Sequence, residues 1–201
     1  VVLLAGFANG RVWAMLNYSG GIKAIKSACF TAKVSQVVTS RAFLDRLRLV
    51  GLVAELAADG VSVIYIEDVK IKIKWWHKVN AYFELKLAWF SGIQGQETAD
   101  KAAVVLFTSG SEGAPKGVVL SHENLQVNCN QVDSVLDLNQ QDKLFNVLPM
   151  FHAFGLTIAT LMPLLRGISQ FSYLSPLHYR KIPGWIYETS ATLLIGTDTF
   201  L

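Results

Sequence analysis

The sequence predicts an α/β fold, with mostly parallel sheets flanked by helices. Short apolar runs recur along the chain and alternate with windows of helical periodicity, the pattern of strand–helix–strand units whose sheets are covered on both faces. Of 201 residues, 52% are hydrophobic and 16% are charged, which supplies a sizeable core and excludes a disordered chain. A formal net charge of +3 leaves no electrostatic footprint for nucleic acid, so no nucleic-acid partner is expected.

Taken in order, strands are expected at Val12 to Leu16, Gln36 to Thr39, Val61 to Ile66, Ala103 to Phe107, Leu144 to Leu148, Ile168 to Tyr173 and Thr192 to Ile195. Helical windows lie at Gly21 to Ala32, Arg41 to Ala58 with a break at Gly51, Ser121 to Leu136, and His178 to Thr189. Ser121 suits a helix cap, with Glu123 in the first turn. In sheets of this kind ligands bind beyond the carboxyl ends of the strands, so the loops after strands are where chemistry is sought.

Two stretches imitate membrane segments. Leu144 to Leu165 runs 22 residues without a charge, long enough to raise a transmembrane reading. Pro149 would break a helix there, and Asn146, His152 and Pro163 also interrupt the run. The preferred parse is a buried strand, a turn at Pro149 to His152, and a helix to about Leu165 that stops at Gly167. The second stretch, 70–90, interleaves Lys70, Lys72, Lys74, Lys78 and Lys86 with Trp75, Trp76, Tyr82, Phe83, Trp89 and Phe90. Alternation at Ile71, Ile73 and Trp75 suggests a strand start, whereas Val79, Tyr82, Phe83, Lys86, Leu87 and Phe90 fit a helical face. A helix lying on anionic lipid would give a peripheral membrane contact. A surface helix that packs its aromatics inward is the preferred reading.

Cys29 and Cys129 lie a hundred residues apart without metal-ligand spacing, which argues against a zinc site or a disulfide scaffold and for a reducing compartment. The chain begins at Val1 with no basic flank of a secretory signal, and it ends in an apolar run without a stop. Residues 1–201 are therefore expected to be an internal fragment of a longer protein.

The most informative residues run Thr108-Ser109-Gly110-Ser111-Glu112-Gly113-Ala114-Pro115-Lys116-Gly117. Gly110 and Gly113 allow close backbone approach, while consecutive amides and the hydroxyls of Thr108, Ser109 and Ser111 can form an anion-binding concavity. Lys116 adds a compact positive charge, and Pro115 stiffens the exit. A Walker A loop does not fit. From Gly110 the second required glycine falls on Pro115, Gly117 stands at the magnesium-binding hydroxyl, and Val118 to Leu120 continue as a strand. A plain glycine-rich hairpin is the other reading of these residues.

The string Thr108 to Gly117 resembles the phosphate loop of the adenylate-forming (AMP-binding) enzymes, usually TSG[ST]TGxPKG. Glu112 stands where threonine is commonest, and that form resembles the acyl-acyl-carrier-protein synthetase part of bifunctional 2-acylglycerophosphoethanolamine acyltransferases. Leu16-Asn17-Tyr18, Thr39-Ser40-Arg41, Tyr65 to Asp68, Phe151-His152 with Phe154 to Thr157, Ser175 to Arg180, and Gly196-Thr197 resemble further landmarks of that branch.

The resemblance implies an internal part of the large N-terminal adenylation domain, with the C-terminal lid domain absent from these residues. It implies ATP-dependent activation of a long-chain fatty acid and transfer to the thiol of acyl carrier protein, with ATP and Mg2+ as cofactors. Another acid–thiol ligase, such as an acyl-CoA synthetase, and a noncatalytic nucleotide-binding or interaction domain are the alternatives. Carried over residue by residue, Thr108, Ser109, Gly110, Ser111, Gly113 and Lys116 hold the β- and γ-phosphates. Glu112 joins that loop with a carboxylate that repels phosphate unless Mg2+ or a base offsets it. His152 lies near the adenylate and orients the acyl carboxylate, with Phe151, Gly155, Gly196 and Thr197 on the substrate side. Phe154, Leu156 and Leu161 are either acyl-tunnel wall or, as preferred, core. His122 is expected to be an exposed first-turn residue, and His178 has a weak claim on the site. The implied location is cytoplasmic, at the inner face of the bacterial inner membrane for a lysophospholipid-linked parent.

Overall fold

A computed structural model of the protein describes residues 1–49, 51–91, 99–108, 115–173 and 178–196, without the side chains of 85 and 88–91. The chain runs through α1 (Val2–Ala8), β1 (Trp13–Met15), α2 (Gly21–Thr31), β2 (Gln36–Thr39), α3 (Arg41–Arg46), α4 (Gly51–Ala58) and β3 (Ser62–Tyr65). It continues with α5 (Ile66–Lys72), α6 (Trp75–Ser91), β4 (Ala102–Thr108), β5 (Lys116–Ser121), α7 (His122–Asp133) and β6 (Lys143–Asn146). Then come α8 (Ala153–Leu156), a π-turn at Thr157–Leu161, α9 (Met162–Arg166), β7 (Ser169–Ser172), α10 (Ile182–Thr189) and β8 (Leu193–Ile195). Every strand expected from the sequence is present, and the α/β class holds.

The chain divides into two units. The second is built chiefly from Leu16–Ala99. Its strands β2 and β3 pair in parallel, Gln36 opposite Ser62 and Thr39 opposite Tyr65. Ile25 and Cys29 of α2 meet Leu44 of α3 and Leu52 and Leu56 of α4 in one core. Burial pushes the Cys29 thiol up from its ordinary pKa, and the charge of Asp59 adds to the shift. Ser40 caps α3, its Oγ accepting the Phe43 N–H at 3.1 Å. The helix expected from Arg41 to Ala58 is divided before Gly51, not at it. Arg48 takes a left-handed φ of 54°, and Gly51 is the first residue of α4.

An ion-pair latch joins the carboxyl ends of β2 and β3. The Arg41 guanidinium donates to both Asp68 carboxylate oxygens at 2.8 Å and lies 4.0 Å from the Tyr65 ring centroid. The Arg41 N–H donates to Glu67 Oε1 at 3.0 Å. Glu67 and Asp68 fall in the first turn of α5 and Lys70 and Lys72 in its last, the charge order a helix dipole favours. That polarity fits a helix through Ile71 to Lys72 rather than the strand start that the alternation suggests, and Ile73 ends it with extended backbone.

The first unit holds the sheet β7-β6-β8 and the sheet β1-β4-β5 apart from Lys116 and Gly117 at the start of β5, which fall in the second unit. β1 pairs with β4 in parallel, and β6 pairs in parallel with both β7 and β8. Helix α1, which the sequence reading did not anticipate, closes against β1. Trp13 Nε1 donates to the Leu3 carbonyl at 3.0 Å, and the indole lies on Gly6, where any Cβ would overlap it. Ser121 caps α7 and Glu123 lies in its first turn, both as expected, and Asn124 completes the cap by accepting the Ser121 N–H. α10 begins at Ile182, past the expected start at His178, with Pro183 in its first turn, where its fixed φ suits a helix start.

The charge-free run folds inside the protein. Among the described residues no helix is long and apolar enough to cross a membrane. β6 stops at Asn146, the chain turns at Pro149 to His152, and α8, the π-turn and α9 follow to Gly167, whose left-handed φ of 68° ends the helix. Leu156, Ile158, Leu161 and Met162 from this stretch form one core with Ala103, Val104 and Leu106 of β4 and Leu125 and Cys129 of α7. Pro163 has no N–H to give the Ala159 carbonyl four residues earlier. Asn146 Nδ2 donates to that oxygen at 2.8 Å and Gln170 Nε2 at 2.9 Å, tying the π-turn to β6 and β7. Asn146 Oδ1 also accepts the Leu148 N–H at 2.8 Å, so one buried side chain fixes both the helix and the turn. Gly155 is required by a close approach, because a Cβ there would lie 2.1 Å from the Pro149 carbonyl oxygen.

Asn146→Ala strands the buried Leu148 N–H and is expected to cost about 1–3 kcal/mol in chemical unfolding. Gly155→Ala forces the turn off its helix at a cost of roughly 1–3 kcal/mol. The latch has a pH signature: Arg41 holds the Asp68 carboxyl below its ordinary range, chiefly through the two hydrogen bonds. A carboxyl lowered by folding adds stability above its unfolded pKa of about 3.9, and that stability is lost as pH falls through the folded value. NMR titration should find the Asp68 midpoint below ~3.9 and returned toward it in Arg41→Gln.

Candidate active site

β6 is the middle strand of its sheet, and the register sets Asn146 level with Ser172 of β7 and Ile195 of β8. Three segments therefore leave one carboxyl edge, the place where α/β sheets bind ligands. The segment from β6 carries buried Val147 and Leu148, then the turn. The His152 N–H donates to the Pro149 carbonyl at 3.2 Å, and the His152 carbonyl accepts the Leu156 N–H at 2.8 Å. His152 is thus the N-cap residue of α8, with extended backbone, and its side chain is exposed. Its ring leans on buried Phe151 at 4.4 Å between centroids, which restricts the imidazole although the residue is exposed. An imidazole so held can donate a hydrogen bond to a carboxylate or accept one.

Gly155 is buried beneath this turn, where the steric limit just described makes it a support. Leu156 and Leu161 are core, as preferred from the sequence, whereas Phe154 is exposed beside the turn. Gly196 follows β8 directly and is half-buried at the same sheet edge, so the structure brings Phe151, His152, Gly155 and Gly196 to one end of one sheet. Thr197 lies outside the described residues, as do residues 199–201 and 175–177.

The phosphate-loop candidates are described only at their ends. Thr108 is the exposed last residue of β4, and Lys116 is the exposed first residue of β5, its neighbour in the sheet. Ser109, Gly110, Ser111, Glu112 and Gly113 lie outside the described residues. Among the described residues no group of three or more His, Cys, Asp or Glu is placed to hold a metal ion, so no side chain is assigned to Mg2+.

His122 is not an exposed first-turn residue. It is half-buried, edge-on to the Phe7 ring at 5.1 Å, with its N–H on the Lys101 carbonyl. His178 gains a partner that the sequence did not reveal: its Nδ1 lies 2.7 Å from the Tyr173 hydroxyl. The Tyr173 ring packs 4.2 Å from Trp185, and its N–H donates to the Asn146 carbonyl at 2.7 Å, so this pair borders the same edge through β7. Asn146, Gln170 and Tyr173 were missed as positioning residues. The available signal was Pro163 inside an apolar run, which announces a carbonyl in need of a side-chain donor.

Comparison with known proteins bears on what this edge belongs to. A feruloyl-CoA synthase of an Amycolatopsis species is 40% identical over 104 residues, covering 50% of this chain and 20% of the relative. A medium-chain fatty-acid–CoA ligase of Escherichia coli K12 is 41% identical over 68 residues, covering 34% of this chain and 12% of the ligase. The chain thus spans a fifth or less of the length of these curated relatives. ATP-bound MatB from Rhodopseudomonas palustris superposes with a TM-score of 0.71 at 25% identity, over 98% of this chain and 36% of that one. The o-succinylbenzoate CoA synthetase of Bacillus subtilis, in complex with its acyl-adenylate, shares the fold at a TM-score of 0.74 and 17% identity. The sequence pattern of the AMP-binding enzymes matches residues 1–201, and the chain belongs to that family.

Proposed function

We propose that the protein carrying this chain is an ATP-dependent acid–thiol ligase that activates a fatty acid as its acyl-adenylate. The observation that carries the reading is the hydroxyl–glycine–lysine string between neighbouring strands β4 and β5, in a chain that matches the AMP-binding family along its whole length. On this reading residues 1–201 are an internal part of the adenylation domain, and a C-terminal lid is supplied by the rest of the protein. A carboxylate oxygen of the fatty acid attacks the α-phosphorus of ATP, and pyrophosphate leaves. A thiolate then attacks the acyl carbonyl, and AMP departs.

Thr108, Ser109, Gly110, Ser111, Gly113 and Lys116 stabilise the charge that builds on pyrophosphate, acting as fixed donors that need no reorganisation. Glu112 belongs to the same loop. His152, held against Phe151 at the helix start, orients the acyl carboxylate, and Phe151, Gly155, Gly196 and Thr197 flank the acyl group. ATP as co-substrate is supported by the family and by the ATP-bound MatB structure. A fatty acid as substrate is supported by the Escherichia coli ligase and by a Mycobacterium tuberculosis relative named long-chain-fatty-acid–CoA ligase, 36% identical over 73 residues.

For the acceptor, the SGSEG form of the loop favours the phosphopantetheine thiol of acyl carrier protein. The names of the curated relatives favour the second reading, coenzyme A. Thioester formation by the intact protein separates them: product with coenzyme A and none with carrier protein overturns the first.

Exchange of labelled pyrophosphate into ATP by the intact protein is expected to require a fatty acid. Lys116→Ala should reduce it roughly 10- to 100-fold, the worth of a hydrogen bond to a charged group. Gly113→Val should abolish close backbone approach and with it most of the exchange. No exchange with any fatty acid would remove the ligase reading, and wild-type exchange in both variants would move the nucleotide elsewhere.

A further inference from the structure

Helix α6 is exposed along its described length. Trp75 is 71% exposed, Tyr82 58%, Phe83 59% and Leu87 67%, and Trp76 and Val79 are exposed as well. For the described aromatics, Trp75, Trp76, Tyr82 and Phe83, this overturns the expectation that they pack inward. A helix ordinarily draws most of its stability from burying one face, and no described side chain of α6 is buried. Most of the large apolar groups nevertheless share one side. At helical spacing Trp75, Trp76, Val79, Tyr82, Phe83 and Leu87 occupy one arc of about 140°. Glu84, His77 and Asn80 lie outside it, as do Ala81 and Leu85.

Charge is sorted too. Between Val69 and Leu87 the chain carries Lys70, Lys72, Lys74, Lys78 and Lys86 against the single acid Glu84. Lys86, the one charge within the apolar arc, lies with its Nζ 5.7 Å from the Tyr82 ring centroid, and Lys74 Nζ lies 4.8 Å from that of Trp76. Both cations ride on aromatic faces, so they can accompany the rings to a boundary without burying charge.

We infer that α6, with the end of α5, is a docking face for an anionic lipid surface. The helix lies in the plane of the bilayer, with Trp75, Trp76, Tyr82, Phe83 and Leu87 at headgroup depth and the lysines against lipid phosphates. Charge complementarity selects this occupant: a second copy would set lysines against lysines. An acidic protein would engage the lysines but gives no role to rings with amphipathic edges, which favour a bilayer interface. The inference does not rest on the ligase reading, since none of these residues belongs to the proposed nucleotide or acyl site.

Flotation of the intact protein with phosphatidylcholine vesicles, and with vesicles in which phosphatidylglycerol replaces part of that lipid, tests it. Recovery is expected with the anionic vesicles alone and should fall with added salt. Each of Lys72→Gln and Lys78→Gln should weaken partitioning about fivefold. The double variant Trp75→Ser/Phe83→Ser should remove most of it. Because these side chains are exposed, far-UV circular dichroism and pyrophosphate exchange without vesicles check that the variants remain folded. Three results overturn the inference: equal recovery with neutral and anionic vesicles, self-association broken by the same variants, or carrier-protein binding that needs the lysines but not Trp75, without flotation.

Discussion

The Ala159 carbonyl is the group on which the first unit turns. Pro163 withholds the N–H an α-helix would offer it, and a bare buried carbonyl costs several kcal/mol when no donor replaces water. Asn146 and Gln170 supply the donors from two adjacent parallel strands, so the helix cannot slide along the sheet without losing both. The consequence reaches the candidate site directly. Asn146 spends its other end on the Leu148 N–H, and the next residues are the turn that presents His152. Thr157 and Thr160 complete the arrangement, their hydroxyls donating at 2.8 Å to the Ala153 and Gly155 carbonyls. Polar side chains within a charge-free run are thus the means by which that run keeps its register.

Glycine and proline act as a pair in the same turn. Gly155 lets the first turn of the helix approach the Pro149 carbonyl, and the approach closes the loop tightly enough for Phe151 to be buried while its neighbour stays in solvent. Burial of one ring and exposure of the next is what a site needs from a loop: a fixed wall and an available donor. The β6 edge therefore sets an exposed imidazole against a buried aromatic ring.

Much of this was legible in the residues. Strand positions followed from short apolar runs, and the helix stop at Gly167 and the cap at Ser121 followed from their chemistry. What failed did so where two periods compete. Ile71, Ile73 and Trp75 alternate like a strand, yet Glu67, Asp68, Lys70 and Lys72 give the preceding turns helical polarity and Arg41 anchors the acids. The role of Gln170 depends on which strand lies beside β6, whereas the Tyr173–His178 bond spans only five residues and turns on the path of the chain between them. His122 was misjudged for a similar reason: its partner, Phe7, comes from a helix that the reading lacked.

The two membrane-like stretches show why apolar content alone is a poor guide. Leu144 to Leu165 has no charge and disappears into the protein, because a strand, a turn and a helix divide it into pieces that neighbouring elements cover. The stretch around α6 carries five lysines and remains outside with its rings uncovered. Hydropathy ranks the first as the membrane segment, while burial ranks the second. Burial is the sounder criterion, since free energy is gained only by apolar surface that has not already left water. In α6 the described apolar side chains are still in water, with Lys74, Lys78 and Lys86 among them.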